Sequence, residues 1–337
     1  MPPATTRTAA PASDPPEPVD PLDQAGLDAQ FRLDRITDLD GLMRRRAEAA
    51  RQALTSTPCL RALRYGPGEG HTLNLFLPAP AEASEAPSQA EATGAPLLVF
   101  IHGGFWRSLD ADLFSFVAPS FVAAGAAVAV IDYPLMPAAR MADVVDACFG
   151  ALHFLHRAAG DHGIDARRIH LSGNSAGGHL VAELMDAAQA RRHGLPDGLP
   201  AGGCAISGLY DLEPVRRSFQ NDFLGLTPQE VAAFSPLRRA YTPAAPMIAT
   251  VGALEMDEFL HQNQVFAQRC AASGLPVEHR QEPGMDHLSV VLDALADPRQ
   301  ALHRQVRALM GLRAPDPTLK PAPTPPAHPG DAAPDPA

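Results

Sequence analysis

Short apolar runs alternate with segments of helical periodicity over most of the chain. Leu97-Leu98-Val99-Phe100-Ile101 is a continuous apolar run of strand length, and Ala126 to Ile131 is another. Between them and the next run, Met141, Val144, Val145, Cys148, Leu152 and Leu155 repeat at helical spacing. Ile169-His170-Leu171 predicts a short strand, and Leu180, Val181, Leu184 and Met185 mark the helix after it. Cys204 to Ile206 and Met247 to Val251 predict further strands. Phe259 to Ala272 reads as a helix, Val277 to Gln281 as extended, and His287 to Met310 as mostly helical. Upstream, 22–55 has no interrupting proline and reads as helical. Leu60, Leu63 and Tyr65, then Leu73, Leu75 and Leu77, flank a Gly-Pro-Gly turn and predict a hairpin. Strand–helix alternation of this kind predicts an α/β fold with a mostly parallel central sheet and helices on both faces.

Composition sets the limits of that unit. The chain has 337 residues, enough for a sizeable core. Of its 35 prolines, seven fall in 1–21 and nine in 313–337. The expectation is a single folded domain over 22–312 between two disordered Pro-rich tails. A mobile insertion is expected near 78–96, where Ala, Glu, Ser and Pro dominate. The net charge of -11 argues against nucleic acid as a partner, because phosphate contact needs a basic surface. Arg44-Arg45-Arg46 is the densest basic run and reads as a solvated helix face. No apolar run has the roughly 18–20 residues that span a bilayer, and no secretory leader is apparent, so the expected setting is cytoplasmic, away from membranes. Cys59, Cys148, Cys204 and Cys270 lie far apart and form no Cys-x-x-Cys pair; four buried thiols are expected. A homodimer is compatible with the sequence.

The chemistry-bearing residues sit at predicted strand ends. Gly173-Asn174-Ser175-Ala176-Gly177 follows the strand at 169–171 and opens a helix. Its glycines permit a sharp turn that presents the Ser175 hydroxyl, and the Ala176 amide and helix N-terminus can face a substrate oxygen. His102-Gly103-Gly104-Phe105-Trp106 follows the strand at 97–101. Its glycines let the backbone approach a ligand, so the Gly104 or Gly103 amide is the expected second donor of an oxyanion hole. His102 is expected to hold that loop. Trp106 either packs beneath the loop or joins Phe105 in walling an aromatic pocket. Among 13 histidines, His287 lies on a loop beyond the strand at 277–281, where a general base would be presented. Asp286 beside it is expected to cap the following helix. The carboxylate that orients the base is expected to be Glu255, with Asp257 and Asp211 as alternatives in the order Ser…acid…His. No metal or cofactor is expected, and the expected partner is a small-molecule substrate.

Four motifs together resemble the arylformamidases (kynurenine formamidases) of the α/β-hydrolase superfamily, over roughly residues 60–295. They are His102 to Trp106, Gly173 to Leu180, Ser207-Gly208-Leu209-Tyr210-Asp211-Leu212-Glu213-Pro214, and Gly284-Met285-Asp286-His287. This chain departs from the family in having glutamate at 255, where aspartate is usual, and phenylalanine at 105, where tyrosine is frequent. The resemblance implies an α/β-hydrolase fold and cofactor-free hydrolysis of N-formyl-L-kynurenine to L-kynurenine and formate. Ser175 would be the nucleophile, with Phe105, Trp106 and Tyr210 on the aromatic side of the substrate. The alternatives are a carboxylesterase acting on short acyl esters and, in another class, a non-catalytic binding protein on a hydrolase scaffold.

Overall fold

A computed structural model describes residues 23–33, 36, 38–79 and 94–312. Eight strands form one sheet in the order β1-β2-β4-β3-β5-β6-β7-β8. They are β1 (Cys59–Arg64), β2 (Thr72–Phe76), β3 (Ala95–Ile101), β4 (Ala127–Ile131), β5 (Ile164–Asn174), β6 (Gly202–Ile206), β7 (Met247–Gly252) and β8 (Val277–Glu282). β1 and β2 form the expected antiparallel hairpin, and β2 runs antiparallel to β4. β3 to β8 are mutually parallel where they pair. Parallel strands need both faces covered, which is why β3, β4 and β6 are near-continuous apolar runs. Alternation splits them between two core layers. Leu97, Val99 and Ile101 pack with α3 (Met141–Ala158), α4 (Ala176–Met185) and α5 (Asp257–Ala271). Leu98 and Phe100 face the other layer, built from α2 (Leu39–Ser56), residues 111–121 and α6 (Ala301–Leu309).

Local rules account for the remaining elements, including those that differ from expectation. The 22–55 segment divides into α1 (Gln24–Ala29) and α2, because Asp23 and Asp38 each start a helix by accepting an amide, from Gly26 and Gly41. Pro298 ends the first part of 287–310, leaving a π-helical turn at Val290–Leu295 before α6. β5 is longer than its apolar centre, since Ile164 already pairs with Ala95. Ala95 and Pro96 therefore belong to β3; most of the expected 78–96 insertion and both Pro-rich tails lie outside the described residues. Arg46 is a correction: it is buried, with its guanidinium carbon 3.7 Å over the Phe114 ring, and burial lowers its pKa to about 10. Of the four free thiols, Cys148, Cys204 and Cys270 are buried and Cys59 is only half-buried. Among the described residues no helix is long and apolar enough to cross a membrane.

β3 and β5 are neighbours, yet the helical segments that follow them pack on opposite faces of the sheet. A crevice opens at the C-terminal ends of two such strands. Ile101 pairs with Gly173, so the loop after β3 and the turn after β5 leave the sheet side by side.

Candidate active site

Ser175 sits between β5 and α4 with φ 59° and ψ -119°. A side-chain residue in this region costs about 1–3 kcal/mol and must be held from outside. Two backbone bonds hold it: Ser175 N–H donates to Ile206 O at 2.9 Å, and His179 N–H donates to Ser175 O at 3.0 Å. The helix can start this close to the sheet only because residue 177 is glycine, since a Cβ there would collide with the Ile101 carbonyl oxygen. A Cβ on Gly103 would come within 3.2 Å of the Ser175 Cβ, so the loop after β3 lies directly against the serine. Gly104 has φ 110°, a conformation that side chains resist. Among the described residues the amides of Gly103, Gly104 and Ala176 donate to no backbone acceptor, so all three remain free beside Ser175.

His287 is reached through the loop after β8, where Asp286 accepts the Leu288 and Ser289 amides at 2.9 and 2.8 Å and so caps the next turn. The ring Nδ1–H donates to Glu255 Oε2 at 2.5 Å. Glu255 Oε1 accepts the Ser207 hydroxyl and, at 2.8 Å, the Gly252 amide. Ser175, Glu255 and His287 are all buried, at 4–5% exposure. Ionic hydrogen bonds are stronger in such a site than in water. Of the three carboxylates considered, Glu255 meets the histidine. Asp257 is exposed at the start of α5, and Asp211 binds Arg238 at 2.6 Å and the Glu213 amide. Among the described residues no group of three or more His, Cys, Asp or Glu side chains is arranged to hold a metal ion. His102 is fully buried, stacked 4.3 Å from the Tyr133 ring, with Nδ1–H donating to Gly103 O at 2.7 Å. Burial lowers its pKa to about 4, as suits a loop anchor.

The aromatic wall differs from expectation. Trp106 and Tyr210 are both 0% exposed. Trp106 packs beneath the loop, and Tyr210 is stacked 3.9 Å from Phe266, so neither offers a surface to a substrate. Phe105 alone of the three is half-buried. Its ring meets Phe31 edge-on at 6.4 Å, Phe31 meets Phe259 at 6.2 Å, and Phe259 lies 4.6 Å from His287. Phe31 and Ser207 are the contributors that sequence reasoning missed. Phe31 follows α1, and hydrogen bonds from distant segments hold it there: Gln220 Nε2 donates to Phe31 O, and the Phe219 amide donates to Asp28. Ser207 adopts φ 51° at the end of β6, a strained conformation that aims its hydroxyl at Glu255.

A family model described as the alpha/beta hydrolase fold matches residues 98–291, more than half of the chain. The chain belongs to the α/β-hydrolase family. Among its relatives is the kynurenine formamidase of Danio rerio, 25% identical over 275 residues that cover 79% of this hydrolase and 85% of that protein. The carboxylesterase/phospholipase LipF of Mycobacterium tuberculosis is 26% identical over 288 residues, covering 76% of this chain and 74% of that one. In three dimensions the hydrolase is similar to a candidate thioesterase from Silicibacter sp. tm1040, with a TM-score of 0.68 and 29% identity, covering 82% of this chain and 97% of the other. The protein is an enzyme of the α/β-hydrolase type, and the reading as a non-catalytic scaffold is not retained.

Proposed function

We propose that this hydrolase cleaves the formamide of N-formyl-L-kynurenine to L-kynurenine and formate through a formyl-enzyme. The observation that carries the choice of substrate is the similarity to the Danio rerio kynurenine formamidase over 85% of that protein. The geometry supports the chemistry. A carboxylate can only accept, so Glu255 keeps the His287 proton on Nδ1 and leaves Nε2 free as a base. His287 takes the Ser175 proton as Oγ attacks the formyl carbon. The oxyanion that forms is held by the free amides of Ala176 and of Gly103 or Gly104. The imidazolium, stabilised by Glu255, then protonates the aniline nitrogen as the C–N bond breaks, releasing kynurenine. Water, deprotonated by His287, attacks the Ser175 formyl ester and releases formate. The half-buried Phe105 ring, backed by Phe31, is the aromatic surface that the aryl group meets.

The similarity to LipF supports a second reading, hydrolysis of short acyl esters by the same groups. Comparing kcat/KM for N-formyl-L-kynurenine with that for short acyl esters decides between them. A higher value for the formamide is expected, because an ester is the easier bond and only a fitted pocket reverses that order. A large preference for esters would remove the formamidase assignment.

A further inference from the structure

The loop that carries the oxyanion donors runs at positive φ over three consecutive residues, 110° at Gly104, 49° at Phe105 and 54° at Trp106, and the last two are strained because they carry side chains. Such a run persists only where its surroundings over-determine it. Part of the restraint is backbone: Trp106 O accepts the Met136 amide at 2.8 Å, and Arg107 N–H donates to Gly104 O at 3.0 Å. The side-chain restraint comes from α4. The Trp106 indole Nε1–H donates to His179 Nδ1 at 3.2 Å, with the two rings edge to face at 5.1 Å. His179 is one turn beyond Ser175, and its own amide donates to Ser175 O. One residue therefore grips the nucleophile's carbonyl through its backbone and the oxyanion loop through its ring.

Two partners fix the state of that ring. His179 Nε2 lies 2.7 Å from Phe234 O, and a carbonyl can only accept, so Nε2 carries the proton. An indole N–H can only donate, so Nδ1 must present its lone pair. Both conditions are met by a neutral ring of one tautomer and by no other form. Glu183 Oε1, 3.8 Å from Nε2, is bound by Arg239 at 2.8 Å, and the ring is fully buried. Burial lowers the His179 pKa to about 4, which keeps the ring neutral around pH 7.

We propose that His179 is a positioning residue that locks the oxyanion-hole loop to the Ser175 helix through the Trp106 indole N–H. Its effect is on where the Gly103 and Gly104 amides stand relative to Oγ, and so on transition-state stabilisation more than on substrate affinity. The inference rests on the reading of Ser175 as nucleophile with those amides as its oxyanion donors.

Trp106 is the only tryptophan in the chain, so the 15N-labelled protein gives a single indole N–H resonance that reports the bond directly. In the full-length protein that resonance should be exchange-protected. It should shift and lose protection in His179→Phe, and stay protected in His179→Asn, whose side-chain oxygen can take the place of Nδ1. His179→Phe and Trp106→Phe should each lower kcat about 10- to 100-fold with KM changed less than about threefold. His179→Asn should recover most of the loss, and adding His179→Phe to Trp106→Phe should cost less than about threefold more. If His179→Phe fails to fold, Trp106→Phe and His179→Asn carry the test. An unprotected indole N–H in the wild type, kcat within about twofold of wild type in a folded variant, or a loss confined to KM would overturn the inference. Retained activity in Ser175→Ala would instead overturn the catalytic reading and leave the indole measurement standing.

Discussion

Glu255→Gln changes one atom of a carboxylate at a point where three donors converge. The Gly252 amide and the Ser207 hydroxyl meet Oε1, and the His287 ring meets Oε2. The Ser207 hydroxyl can turn and accept, but the Gly252 amide can only donate. The glutamine oxygen must therefore face Gly252, which leaves the amide NH2 pointing at His287. An NH2 there can only donate, so the imidazole must place its lone pair on Nδ1 and its proton on Nε2. That is the nitrogen required to receive the Ser175 proton. A base held in the wrong tautomer costs about four decades in kcat, or about 5 kcal/mol at 1.36 kcal/mol per decade. Folding should change far less, by about 1–3 kcal/mol, because the glutamine keeps the Gly252 and Ser207 bonds in weaker, uncharged form. The assay is steady-state turnover of N-formyl-L-kynurenine, with denaturant unfolding of the same preparations. A folded Glu255→Gln enzyme with kcat within about tenfold of wild type would show that Glu255 does not set the tautomer, and the assignment of His287 as base would fall with it.

Ser175→Ala should remove about 10⁴–10⁶ of kcat and leave the unfolding midpoint within a few degrees; near-normal turnover would refute covalent catalysis. Gly177→Ala drives a Cβ into the Ile101 carbonyl, with backbone on both sides and no flexible side chain to yield. It should destabilise the fold by about 3 kcal/mol and lower the melting midpoint by roughly 6–10 °C, so an unchanged midpoint would show that the helix can back away from β3. Acid should weaken the fold well before the carboxylates protonate. Burial lowers His102, His170 and His179 from 6.5 to about 4. Between those values the unfolded chain takes up protons that the folded one does not, so stability is complete above about pH 6.5 and falls as pH drops towards 4, by up to about 1.4 kcal/mol per pH unit for each group. Glu183, pushed up to about 7 by burial, acts in the opposite sense between about pH 7 and 4.5 and offsets about one of the three. Denaturant unfolding at pH 7, 6 and 5 measures the sum, and equal stabilities at the three values would count against neutral buried histidines.

The parts of the site legible in the sequence are those whose local geometry demands a particular residue. Gly177 is required by the Ile101 carbonyl and Gly104 by a φ of 110°, so the turn after β5 and the loop after β3 carry glycine signatures that can be read directly. Chain order and strand ends then led to His287 and Glu255. The unread parts depend on contacts between residues far apart in the chain. Ser207 bonds Glu255 across 48 residues, and nothing around Ser207 in the sequence announces its positive φ. Phe31 is held by Gln220 across 189 residues. Aromatic residues beside active-site motifs suit an aryl substrate, which puts Tyr210 at the pocket and leaves Trp106 open between the pocket and the space beneath the loop. Packing draws both inward, since each ring has a buried partner, His179 for Trp106 and Phe266 for Tyr210. The same limit applies to Arg46: beside two exposed arginines it reads as solvated, and the Phe114 and Phe116 rings against it account for its burial.

The aromatic chain from Phe105 through Phe31 to Phe259 separates two tasks that many enzymes entangle. Ser175, Glu255 and His287 stand on turns at the C-terminal ends of the strands, whereas Phe31 arrives on a separate peptide, seated by its burial with Leu27 in the core and by hydrogen bonds with distant segments. A different segment in this place would recontour the substrate's seat and would reach the proton-transfer machinery only through Phe259. Selectivity in this scaffold can thus drift by exchange of the stretch that carries Phe31, a route open to laboratory grafting as much as to natural divergence.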